Sequence, residues 1–155
     1  IAGKDVSKEE LMEILSSLIA EFDIISVEDP FNEEDFESFK DFKEKNKNLF
    51  IVGDDLTVSN KVLLKKAIEK GSVNAIIIKP NQIGTLSETL ETMQLAREND
   101  VELIVSHRSG ETDDDFIADL AFAFHCFGFK AGSSQRAERM IKYKRLIQIQ
   151  TLERV

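Results

Sequence analysis

The stretch "NAIIIKPNQIG", residues 74–84, decides the fold. Ile76, Ile77 and Ile78 stand in succession, without the polar alternation of a half-solvated strand. Such a run reads as a strand buried on both faces, the kind found in parallel sheets. Lys79 follows at once, and Pro80 after it. By itself, an ammonium at the exit of a buried strand is a surface lysine where the chain re-enters water. Its meaning depends on whether the other strands repeat the pattern.

They do. "IISV" runs into Glu28, Asp29 and Pro30, and "LFIVG" runs into Asp54 and Asp55. "VELIV" leads to Ser106, His107 and Arg108, and the short "GFKAG" contains Lys130. Helical patterns separate these runs. "SKEELMEILSSLIAEF" opens with Ser7 and Glu10 as a capping box and sets Leu11, Ile14, Leu15, Leu18 and Phe22 on one face. "EEDFESFKDFKEKN" spaces Phe36, Phe39 and Phe42 helically. "SNKVLLKKAIEKG" ends at Gly71, a natural C-terminal cap, and "TLSETLETMQLAREN" opens with a second capping box, Thr85 and Glu88. "DDDFIADLAFAFHCF" and "SQRAERMIKYKRLIQI" complete the set. Strand and helix alternate without a hairpin signal, which predicts βαβ units and a parallel sheet of the α/β class.

Composition narrows the possible functions. The 155 residues suit one domain with a real core. Apolar residues at 42% and charged residues at 32% predict a soluble globular chain. The net charge of −9 argues against nucleic acid as a partner, because phosphate backbones need a basic face. It does not exclude a small anionic substrate held by a few local cations. No apolar run is long enough for a membrane span. Cys126 is the single cysteine, so no internal disulfide can form, and a reducing cytoplasm is expected. The chain opens without methionine, and a longer polypeptide is expected.

Glu28, Asp54, Lys79, His107 and Lys130 each follow or end a strand, about 25 residues apart, which is one βα unit. In α/β barrels that exit rim is where active sites sit. Each residue has a plainer reading. The carboxylates could cap helices, His107 could be a hydrogen-bonded structural histidine, Arg108 could pair with Glu111 or Asp113, and Lys130 could snorkel. Together they form a chemical set. Two carboxylates on adjacent strand ends make a hard oxygen site suited to Mg²⁺. Zinc lacks a Cys/His cluster here. A lysine among cations can give up its proton and serve as a base. Removing a proton beside a carboxylate builds a dianion that needs concentrated positive charge. Neither a Gly-rich nucleotide loop nor a G-x-S-x-G elbow is present.

"ISVEDPF", "IVGDDLTVSN", "IIIKPNQIGTLSET", "VSHRSGETDDDFIADL" and "ERMIKYKRLIQI" resemble the enolase family in the same order and spacing, from about residue 7 to about residue 150. The resemblance implies a TIM-type (β/α) barrel with about five of its eight units in this chain. Residues 1–155 would be a C-terminal segment of that barrel, without the N-terminal domain and the first strands. It implies a lyase of glycolysis, phosphopyruvate hydratase, dehydrating 2-phosphoglycerate to phosphoenolpyruvate with Mg²⁺. Glu28 and Asp54 then match metal ligands, Lys79 the base, and His107 a histidine beside the substrate. Arg108 and Ser109 match residues that hold the substrate phosphate, and Lys130 a lysine that stabilises the substrate carboxylate. "FKAGSSQRAERM" departs from the commoner family pattern around Lys130. A third aspartate ligand, the general-acid groups and the closing loops would lie upstream.

A five-stranded parallel sheet has two open edges, so association with copies of itself is expected, and an open sheet is the alternative fold. The isolated chain is expected to be weakly active or inactive. Two other functions remain in view: an enzyme of the same superfamily acting on another carboxylate, against which "SHRSGET" speaks, and a non-enzymatic binding or assembly module.

Overall fold

The computed structural model describes residues 5–152. They alternate as α1 (Lys8–Phe22), β1 (Ser26–Glu28), α2 (Phe36–Lys45), β2 (Phe50–Gly53), α3 (Lys61–Lys70), β3 (Ala75–Ile78), α4 (Pro80–Ile83), α5 (Leu86–Arg97), β4 (Glu102–Ser106), α6 (Phe116–Ala123), β5 (Gly128–Lys130) and α7 (Ala137–Leu152). The strands form one sheet in the order β1-β2-β3-β4-β5, every neighbouring pair parallel. Sheet order follows chain order without reversal. That is the winding of a barrel, whereas a doubly wound open sheet reverses direction at a switch point.

The strand period of two sorts the apolar residues. Ile51, Ile76, Ile78, Leu103 and Val105 join the large core beneath the helices, with Phe39, Phe42, Leu64 and Met93. Val52, Ala75, Ile77 and Ile104 form a second cluster on the opposite face, with Phe50 against it. Both faces of the central strands are therefore buried, as the isoleucine run predicts.

The second face is concave. β1 and β5 are the edge strands, yet the Lys130 ammonium lies 2.5 Å from the Glu28 carboxylate. Phe50 and Phe127, beside the strand entrances, approach to 4.5 Å between ring centroids. The sheet is an arc of barrel whose two edges reach toward each other, not an open plane. Gly128 makes the last turn of the arc possible, because a Cβ there would meet the Ile104 side chain at 3.2 Å.

Helix ends follow local chemistry. Ser7 and Glu10 form the full capping box of α1, and Gly71 closes α3 in the left-handed conformation at φ 70°. At α5 the box is only half made. Thr85 accepts the Glu88 amide, but the Glu88 carboxylate receives the Thr85 hydroxyl instead of a backbone N–H. α6 stops at Ala123, short of the apolar run's end. His125 turns left-handed at φ 46°, and the Arg97 guanidinium donates to the carbonyls of Phe124 and His125. α4 has no counterpart in the sequence reading. Pro80 pre-sets its first turn and Gly84 ends it. Among the described residues no helix is long and apolar enough to cross a membrane.

Candidate functional site at the strand exits

Strand parity aims the rim residues. Val52 and Ile77 face the concave side, so Asp54 and Lys79, two positions on, inherit that direction. Glu28 is level with Val52, and Lys130 is level with Ser106, which shares the parity of Ile104. Four of the five rim residues therefore converge by register alone. His107 has the opposite parity and leaves the sheet at the end of β4.

Contacts complete the convergence. Lys79 Nζ donates to both Asp54 oxygens, at 2.7 and 2.5 Å, with both side chains only 13% exposed. Lys130 donates to Glu28 across the mouth of the arc, in a more exposed setting. The Lys79 backbone is itself fastened. Its N–H donates to Ser59 Oγ at 2.8 Å, and the fully buried Ser59 hydroxyl lies within hydrogen-bonding reach of the Ile77 carbonyl and the Gln82 side chain. Val58 and Ser59 both sit at positive φ, 40° and 55°. For a β-branched valine that conformation is strained by about 1–3 kcal/mol.

Asp29 bridges the first two strand exits. Its carboxylate accepts the amides of Asp54 at 2.9 Å and Asp55 at 2.7 Å. Burial raises its carboxyl above the ordinary value, while those amides pull the other way. Asp29, Asp54 and Asp55 each bring a carboxylate oxygen within 4.8 Å of the others. From sequence, Asp29 and Asp55 could as well cap the helices that follow and stand out as no ligands. The acid doublets "EDP" and "GDD" were the available signal for a denser cluster. An all-oxygen, acidic donor set fits a hard divalent cation such as Mg²⁺ and offers nothing to a soft metal. Of the two carboxylates expected as ligands, Asp54 belongs to this cluster, whereas Glu28 lies outside it and pairs with Lys130.

The β4 exit turns into a tight loop. His107 Nδ1 lies 3.1 Å from the Lys130 carbonyl. A carbonyl only accepts, so Nδ1 is the donor in this contact. Nε2 lies against Gly132, at φ 80°, where a Cβ would come within 3.3 Å of it. The Arg108 N–H donates to Glu111 Oε1 at 2.8 Å. Glu111 is engaged elsewhere too, by the Lys142 ammonium at 2.9 Å. Burial works to raise the Glu111 carboxyl, but the Arg108 amide and Lys142 outweigh it and hold the group below its ordinary value. Among the described residues no carboxylate lies within 4.0 Å of the Arg108 guanidinium. The plainer reading, a side-chain pairing of Arg108 with Glu111 or Asp113, is not what the structure shows, since Glu111 takes the Arg108 backbone N–H instead. Ser109 is exposed beside it.

Cys126 is half-buried against the helix-side core, and burial pushes its thiol up to about 11. It is filler, as its apolar surroundings predict.

The family model described as enolase, C-terminal TIM barrel domain, matches residues 2–153. The enolase of Sulfurisphaera tokodaii is 47% identical over 150 residues, which are 97% of this chain and 36% of that protein. The enolase of Methanococcus maripaludis is 47% identical over 150 residues, 97% of this chain and 35% of its own length. The enolase of Nitratiruptor sp. is 48% identical over 149 residues, 96% of this chain and 35% of its own. The chain spans about a third of the length of the curated relatives it matches.

Proposed function

Because this chain belongs to the enolase family through its C-terminal barrel domain, we propose that it carries the base, two metal ligands and the phosphate-holding residues of a lyase that dehydrates 2-phosphoglycerate to phosphoenolpyruvate. The observation that carries this reading is the meeting of Lys79 with Asp54 and of Lys130 with Glu28 on one concave rim, reached from four different strands.

Lys79 takes the proton from the carbon beside the substrate carboxylate: the C–H bond breaks and an N–H bond forms. In this structure the Lys79 ammonium is paired with Asp54, so it must give up a proton as well as that pairing before its amine can act as the base. Glu28 and Asp54 would hold Mg²⁺, which when bound would supply positive charge to the substrate carboxylate. Lys130 adds to that charge from the facing edge, Arg108 and Ser109 hold the phosphate, and His107 stands at the start of the same loop with its Nε2 against Gly132. The remaining carboxylate ligand and the acid that protonates the departing hydroxyl, so that it leaves as water, belong, on this reading, to the upstream part of a longer, cytoplasmic, glycolytic polypeptide.

The test is direct. Residues 1–155 with Mg²⁺ and 2-phosphoglycerate are expected to give little or no turnover, while Mg²⁺ titration shows weak binding that Asp54→Asn abolishes. In the longer polypeptide, Lys79→Ala is expected to lower proton abstraction by about 10²–10⁴-fold without loss of Mg²⁺ binding. Activity within about tenfold of wild type would remove Lys79 from the role.

A further inference from the structure

α7 crosses behind the loop that follows β4, and two of its side chains are buried against that loop. Arg139 is 5% exposed. Its Nη1 donates to the Arg108 carbonyl at 2.7 Å and its Nη2 to the Ser109 carbonyl at 2.9 Å. The fork thus grips two successive peptides, those of the residues assigned above to the phosphate. Lys142 is 1% exposed and spends its ammonium on the carbonyls of Thr112 and Glu138 and on the Glu111 carboxylate.

The two cations differ in one respect. Lys142 is neutralised by Glu111, whereas among the described residues no carboxylate lies within 4.0 Å of Arg139. A buried guanidinium on neutral carbonyls keeps its charge, and low local polarity extends its field. The carbonyl oxygens of Arg108 and Ser109 are drawn back toward α7. A peptide held that way cannot turn an oxygen toward an approaching anion. Gly132 leaves room for the arrangement, since a Cβ there would come within 3.3 Å of Arg139 Cδ.

We propose that Arg139 is a positioning residue for an anion subsite at Arg108 and Ser109. It fixes the two peptides and adds positive charge behind them, offset in part by Glu111, whose carboxyl it helps to lower. This rests on the phosphate-holding role proposed for Arg108 and Ser109. Lys142 and Glu111 brace the far side of the same loop.

The experiment uses residues 1–155 and inorganic phosphate, read by amide chemical shifts and by hydrogen exchange at the Arg108 N–H. Thermal melts run in parallel. Arg139→Met is expected to weaken phosphate binding about tenfold and to speed exchange at Arg108. Arg139→Lys keeps the charge but cannot fork onto two carbonyls. It guards against misfolding of the methionine variant, and is expected to recover part of the affinity while exchange stays fast. Variants with lower melting temperatures but unchanged phosphate affinity would overturn the proposal and leave Arg139 a structural residue. Arg108→Gln serves as the control for the subsite. If wild type and Arg108→Gln are equally silent to phosphate while the Arg139 variants still speed exchange, the phosphate reading falls and the hold of Arg139 on the loop stands.

Discussion

Lys79 and Asp54 show how a residue's role depends on its partner. Both side chains are shielded, so the pair cannot be replaced by water at little cost. Lys79→Met leaves Asp54 beside Asp29 and Asp55 with its charge unbalanced. A loss of about 2–3 kcal/mol in urea unfolding is expected. Lys79→Met combined with Asp54→Asn should cost less than Lys79→Met alone, because the stranded charge is gone. Glu111 gives a pH dependence of known sign. Its folded-state carboxyl lies below the ordinary glutamate value of about 4.3, so its contribution is full above that pH. It is lost as pH falls through the lowered value. Melting temperatures from pH 7 down to pH 3 should therefore fall more steeply for wild type than for Glu111→Gln, with the two curves drawing together at the acid end. The types of these residues could be read from sequence, because a polar residue after an apolar run is conspicuous. Their pairings could not. Nothing local in "GDD" or "IIKPN" says that Lys79 bonds Asp54, and nothing in "ERMIK" says that Arg139 reaches back about 30 residues to two carbonyls.

At the scale of elements, the caps and periodicities were legible because they are local. Asn60, the N-cap of α3, accepts the amides of Val62 at 2.8 Å and Leu63 at 3.2 Å. Asn60→Ala should cost about 1 kcal/mol, measured by denaturant unfolding, and leave the rim contacts intact. α4 escaped notice for a physical reason. At four residues it has no apolar period, and its start is a proline that from sequence reads equally as a strand terminator. α6 ended early because a tertiary contact, Arg97 on the carbonyls of Phe124 and His125, completes its last turn. That contact comes from α5, outside any window of local pattern. α7 reads from sequence as one more helix, yet two of its cations, Arg139 and Lys142, are buried. Burial of a lysine and an arginine is visible only once the loop they hold is in place.

For the whole molecule, the monotone strand order decides between barrel and open sheet, and neighbouring runs of similar spacing had already suggested it. The curvature was not legible, since no single strand encodes it. Closure of the arc rests more on apolar contact than on charge. Glu28 and Lys130 are each more than a third exposed in their side chains, so their pair is worth at most about 1 kcal/mol. Phe50 and Phe127 bury aromatic surface as well and should matter more. Phe50→Ala is expected to lower stability by about 2 kcal/mol or more and Glu28→Gln by less than about 1, both by denaturant unfolding. The sheet edges at β1 and β5 keep unpaired backbone groups, and Phe22, Ile25 and Phe127 expose apolar surface. Self-association that rises with concentration in sedimentation runs is the expected behaviour.

The bond between Lys130 and Glu28 also has a bearing on time. It joins positions 102 residues apart, while neighbouring strands pair across little more than one βα unit. Closing so long a loop is entropically costly in the open chain, and neighbouring units can assemble before it. The contact between Lys130 and Glu28 is therefore expected to form last, after the barrier to folding has been crossed. In stopped-flow refolding, Glu28→Gln should leave the folding rate near wild type and put its whole effect into faster unfolding. The chain would then hold a formed sheet before it holds a formed site.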